Sequence, residues 1–124
     1  MTEFDFGRAR EFLRNKYKKQ EEKHQKLFEQ AWQDFNRIAA MIIEKYQPQR
    51  IYQWGSLLNP RHFSEISDID IAVEGTYDPE KFFQMLGDAD SLTDFPLDLV
   101  EIDKIDPIHA ESIRKKGRLV YERK

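Results

Sequence analysis

Trp54-Gly55-Ser56, eleven further residues, then Asp68-Ile69-Asp70-Ile71-Ala72-Val73: this stretch decides the reading of the chain. Ile51, Tyr52 and Trp54 favour extended backbone, so Arg50 to Trp54 reads as a short strand broken by Gly55-Ser56. A loop from about Leu57 to Ser67 follows, marked by Asn59-Pro60. Asp68 to Glu74 then alternates acidic and aliphatic residues up to Gly75, as a second strand. Alternate side chains of a strand share a face, which sets Asp68 and Asp70 together and turns Ile69, Ile71 and Val73 into a core. Taken alone, that alternation also describes an edge strand with a polar outer face.

Working outward, the residues before this stretch read mostly as helix up to residue 47. Phe28, Ala31, Trp32, Phe35, Ile38, Ala39, Ile42, Ile43 and Tyr46 recur at three- and four-residue intervals, one apolar face. Lys16 to Lys26 is nearly all charged or amide-bearing, either a solvated helical extension or an arm that docks on a partner. Pro48 stops the helix, because it excludes helical geometry at Gln47. Downstream, Asp78-Pro79-Glu80 is a capped helix start, with an end expected near Leu86 and Gly87. Leu97 to Ile102 is a third strand. Asp106-Pro107 opens another helix, Lys115-Lys116-Gly117 closes it, and Arg118 to Glu122 is a fourth strand.

Two neighbouring carboxylates repel, and burying them uncompensated is costly. A divalent cation resolves the conflict. Magnesium suits it, taking one or two carboxylates together with water and substrate phosphates. Gly55 lets backbone amides approach an anion, and the Ser56 hydroxyl can donate to a phosphate oxygen. Two-metal phosphoryl chemistry asks for a further carboxylate from a neighbouring strand, and Asp98, an acid among aliphatics, is the candidate. Glu101 and Asp103 fall on the opposite face from Asp98 and rank lower. His24 and His109 are isolated and read as solvated.

Gly55-Ser56, the spacer and Asp68-Ile69-Asp70 resemble the signature of the DNA polymerase β-like nucleotidyltransferases, and Asp98 sits where that family places its third carboxylate. The chain looks like the family's minimal (MNT) form. The resemblance implies an α+β fold: a small mixed sheet of about four strands backed by helices, here with a long N-terminal helix. It also implies two magnesium ions and transfer of a nucleoside monophosphate, AMP from ATP, to a hydroxyl. Carried over, Asp68, Asp70 and Asp98 are metal ligands, with Asp98 also a candidate base, while Gly55 and Ser56 contact the triphosphate. Many small members follow Gly-Ser with an arginine. This chain instead has Leu57-Leu58-Asn59-Pro60-Arg61-His62, which leaves Arg61 or His62 to take that place or to be ordinary loop polarity. Free-standing minimal members often pair with a helical HEPN-type protein in toxin–antitoxin modules, which makes such a protein the expected acceptor.

Composition sets the remaining bounds. The 124 residues suit one domain, with residues 1–47 a mostly helical extension and 48–124 the catalytic core. The absence of cysteine excludes disulfides and thiol chemistry and fits a cytoplasmic location. No apolar run is long enough for a bilayer. A formal net charge of −3 gives no support to a general nucleic-acid surface. Two alternatives remain open. One is a binding module that docks through Phe28, Trp32 and Phe35, or self-associates through the long helix. The other is a metal-dependent nuclease, which leaves Gly55-Ser56 unexplained.

Overall fold

In the computed structural model, which describes residues 5–59, 61, 63 and 67–124, helix α1 runs from Phe6 to Tyr46. Asp5 caps it by accepting from the Arg8 amide, and Gln47 closes it in the left-handed region, at φ 48°. Strand β1 (Arg50–Trp54) leads through a 3-10 turn over Gly55–Leu58 towards β2 (Ile69–Glu74). Helix α2 (Pro79–Asp90), strand β3 (Leu97–Glu101), helix α3 (Pro107–Lys116) and strand β4 (Arg118–Glu122) follow. The strands lie in the order β3-β2-β1-β4. β1 is antiparallel to both β2 and β4, and β2 is parallel to β3 across the α2 crossover, which makes the sheet mixed.

β2 is therefore interior, not an edge, and residues 69–73 are all buried. One sheet face, with Ile51, Ile69, Ile71, Val73 and Leu99, packs on Phe35, Ile38 and Ile42 of α1 and Met85 and Ala89 of α2. The other, with Tyr52 and Ala72, packs together with Ile102, in the 3-10 turn after β3, on Ala110 and Ile113 of α3. Phe35 is fully buried, and Phe28 and Trp32 pack against the first core. The face that the binding-module alternative would dock on a partner packs on the chain's own core, Phe35 fully and Phe28 and Trp32 in part, because its spacing is the spacing of a core stripe.

Three local outcomes differ from the sequence reading. Helix α2 passes through Gly87 to Asp90, because tertiary contacts outweigh the roughly 1 kcal/mol that glycine costs in a helix. Beyond Gly87, Ala89 is fully buried, and Asp88 accepts from Lys45 Nζ and the Tyr46 hydroxyl. A Cβ at Gly87 would meet nothing within 4 Å. Gly87→Ala is accordingly expected to stabilise the fold by about 0.5–1 kcal/mol, read as a higher denaturant midpoint at unchanged slope. Next, Phe63 is buried inside the expected loop, against Phe28 and Phe95. Last, Asp34 is buried on the apolar side of α1. It accepts from Gln30 (2.9 Å), Arg37 (2.5 Å) and the Thr93 hydroxyl (2.8 Å), while the Phe95 amide donates to that hydroxyl at 3.1 Å. Those bonds tie the loop entering β3 to α1, and so fix where the strand that carries Asp98 begins.

Candidate active site

Register builds the site. In the antiparallel β1–β2 pair Trp54 faces Asp70, and in the parallel β2–β3 pair Asp70 faces Asp98. Asp68 stands just ahead of β2, two residues from Asp70, where alternation returns the side chain to the same face. Ligand atoms of Asp68, Asp70 and Asp98 all lie within 4.8 Å of one another. Asp68 is exposed, Asp98 half-buried, and Asp70 only 8% exposed.

Gly55 closes over this cluster with φ +82°, a left-handed conformation that disfavours any side chain. A Cβ there would come 1.9 Å from Oδ2 of Asp70. The glycine thus brings the turn's backbone against the carboxylate, and Ser56 follows half-buried. Leu57 fills the core, which is the physical reason the residue after Gly-Ser is apolar here.

The electrostatics are those of three carboxylates held close together. Burial, then Asp98, then Asp68 push the Asp70 carboxyl up to about 7. Burial and Asp68 likewise raise Asp98, partly offset by His109. Three carboxylate donors at this spacing fit a hard, oxygen-seeking cation such as magnesium, which would remove that repulsion.

Arg61 lies apart from the carboxylate cluster, in a groove of about 790 Å³ that it lines with Tyr17, Gln20, His24 and Gln25 of α1. Its amide donates to Asn59 Oδ1 at 3.0 Å. His62 lies outside the described residues. Glu101 is buried on the α1 face and pairs with Lys104 at 3.2 Å, and Asp103 stands 4.0 Å from Arg114, so both leave the cluster to Asp98. His109, expected to be merely solvated, is exposed but stands at the site. Its ring meets the Trp54 ring edge-on, centroids 5.4 Å apart, and its charge is felt at Asp98. The signal was present in the Ala110 and Ile113 spacing, which turns this side of α3 to the sheet.

Among curated proteins none matches this chain. Solved structures similar to it include the toxin–antitoxin MntA-HepT, at 22% identity and TM-score 0.58, covering 74% of this chain and 73% of that one. A toxin–antitoxin solved with AMP-PNP is similar at 24% identity and TM-score 0.61, covering 73% and 74%. So is a tri-AMPylated Shewanella oneidensis HEPN toxin in complex with MNT antitoxin, at 23% identity and TM-score 0.58, covering 75% and 73%. These likenesses establish the fold. The model of the family "Polymerase beta, Nucleotidyltransferase" matches residues 36–124, every strand and the whole acidic cluster included, and the chain belongs to that family.

Proposed function

We propose that this chain transfers AMP from ATP to a hydroxyl of a protein acceptor, a helical HEPN-type toxin, and acts as its antitoxin. The observation that carries the reading is the packing of Gly55 against the Asp70 carboxylate, within the three-carboxylate cluster. That contact supports reading the turn as the phosphate-binding element beside a cluster that would bind metal. Asp68, Asp70 and Asp98 would hold magnesium, which when bound supplies neutralising charge for the triphosphate and for the phosphorus under attack. Amides of the Gly55–Leu58 turn and the Ser56 hydroxyl hold the phosphates.

In the reaction the acceptor oxygen forms a bond to the α-phosphorus, the bond from that phosphorus to the bridging oxygen breaks, and pyrophosphate leaves. Asp98, at the outer strand of the cluster, takes the hydroxyl proton. The protein's part is mainly to position the reactants. The structures of toxin–antitoxin complexes with the same fold support the choice of acceptor.

The reading is tested by incubating the chain with magnesium, its HEPN-type partner and ATP labelled at either the α or the γ phosphate. Label from the α position should appear on the partner, with pyrophosphate released. Release of γ-label as inorganic phosphate, or cleavage of added RNA without labelling, would sink the reading in favour of hydrolysis or nuclease action.

A further inference from the structure

Strand β3 forms one edge of the sheet, and among the described residues no strand pairs with it on the outer side. The amide of Ile69 donates to the Pro96 carbonyl at 2.8 Å, which sets the phase of the parallel β2–β3 ladder. In that phase Asp98 and Val100 turn their N–H and C=O groups to β2, while Leu97, Leu99 and Glu101 turn theirs outward. Leu97–Glu101 contains neither lysine nor proline, and its register runs without a bulge, so three common guards against a further strand are absent. Beside this edge lies an apolar groove of about 440 Å³, lined by Phe82 and Phe83 of α2, Leu99 of β3, and Lys104 and Ile105 beyond it. Phe83, in its wall, is 74% exposed.

We propose that an extended segment of the acceptor protein adds to this edge as an antiparallel strand, with a hydroxyl-bearing residue opposite Asp98 and a large apolar residue just before it. The inference rests on the reading of Asp98 as the group that meets the acceptor hydroxyl. The site itself selects the occupant. The Gly55 turn follows β1 and closes over the cluster from that side, so an acceptor carried on a protein reaches Asp98 across the β3 edge. Antiparallel pairing is the stronger kind per residue, and here it puts Leu97, Leu99 and Glu101 in the hydrogen-bonded positions. Asp98 then falls in a non-hydrogen-bonded pair, where opposed Cβ atoms stand about 4.5–5.5 Å apart. A serine or threonine at that place brings its hydroxyl to the carboxylate. Alternation sends the preceding side chain to the opposite face, on which Leu99, Phe82 and Phe83 form the groove. One strand thus satisfies the outward backbone groups, fills the groove and delivers the hydroxyl.

Nuclear magnetic resonance of the isotope-labelled full chain tests it. The probe is a capped eight-residue peptide with lysine at each end, threonine and valine alternating up to a central leucine–serine pair. On titration the amides of Leu97, Leu99 and Glu101 should shift and gain protection from exchange, which Asp98 and Val100 should already have in the free chain. Methylating the peptide's leucine nitrogen, which points at β3, should abolish binding. Methylating its serine nitrogen, which points away, should leave binding intact. Phe83→Asp, at an exposed position, should weaken binding about tenfold or more and leave magnesium–ATP titration unchanged. With the HEPN-type partner as acceptor, the same variant should raise KM for the partner about tenfold at unchanged kcat. Shifts confined to other surfaces, equal loss from both methylations, or undiminished binding by Phe83→Asp overturns the proposal. So does a spectrum that does not move, or β3 amides that respond only to the concentration of the chain itself, the mark of a second copy on the edge. The two readings fail separately. A chain that binds magnesium–ATP but not the peptide loses only the docking edge. One that binds the peptide along β3 without binding magnesium–ATP keeps the docking edge and loses the nucleotide reading.

Discussion

Gly55→Ala is expected to destabilise the fold by about 2–4 kcal/mol and to remove magnesium–ATP binding to the limit of detection. Two separate costs add. The left-handed backbone at φ +82° disfavours alanine by roughly 1–2 kcal/mol. The new methyl would also sit 1.9 Å from Oδ2 and 2.8 Å from Cγ of Asp70, so either the turn or the carboxylate must move. These costs separate in a double-mutant cycle. Asp70→Ala deletes the colliding carboxylate and leaves only a tight approach to its Cβ, at 3.2 Å, which a shift of a few tenths of an ångström relieves. Gly55→Ala should then cost little more than its backbone part. Urea unfolding of the four proteins measures the coupling, expected at about 1–2 kcal/mol. Strict additivity would show that the two residues do not touch in the way described.

Asp70→Asn should have the second large effect, of opposite sign on stability and function. In the metal-free folded chain the Asp70 carboxyl ionises near pH 7, held up by burial and by Asp98 and Asp68. In the unfolded chain it ionises near its ordinary value, about 3.9. Between those values the native state holds a proton that the unfolded state has released. The resulting stability is fully present below about pH 4 and is lost as pH rises through about 7. Metal-free wild type should therefore unfold more readily at pH 8 than at pH 5. The asparagine variant should lose most of that slope and be more stable at pH 8 by about 1–3 kcal/mol. Asp98, raised in the same direction, keeps the remainder. Magnesium with ATP should stabilise the wild type at pH 8 and leave the variant unmoved, with nucleotide transfer reduced about a thousandfold or more. An unchanged pH slope in the variant would show that Asp70 is not the group carrying this repulsion.

Much of the site is legible in the amino-acid sequence, and the reason is the strand period. Once Asp68 to Glu74 and Leu97 to Ile102 are strands, alternation alone sets Asp70 and Asp98 on matching faces, and the observed register pairs them directly. The family signature supplies the neighbour relation that alternation cannot. What the sequence does not disclose depends on contacts distant along the chain. Phe63 is an unremarkable loop residue until Phe28 and Phe95 enclose it. Asp34 breaks the polarity rule of its helix face because Thr93, 59 residues on, supplies a donor. Gly87 reads as a stop because the buried Ala89 and the Asp88 pairings that carry α2 past it are tertiary. His109 gains meaning only when α3 lays it against Trp54.

The contact between Gly55 and Asp70 also constrains the order in which descendants of this chain could lose the activity. While the carboxylate is present, almost any other residue at 55 damages the fold itself and is purged whether or not catalysis is still under selection. A lineage released from catalysis would therefore shed Asp70 first, and the glycine would become free to drift only afterwards. Relics that keep the glycine without the acid are the expected intermediates, and the reverse combination should be almost empty.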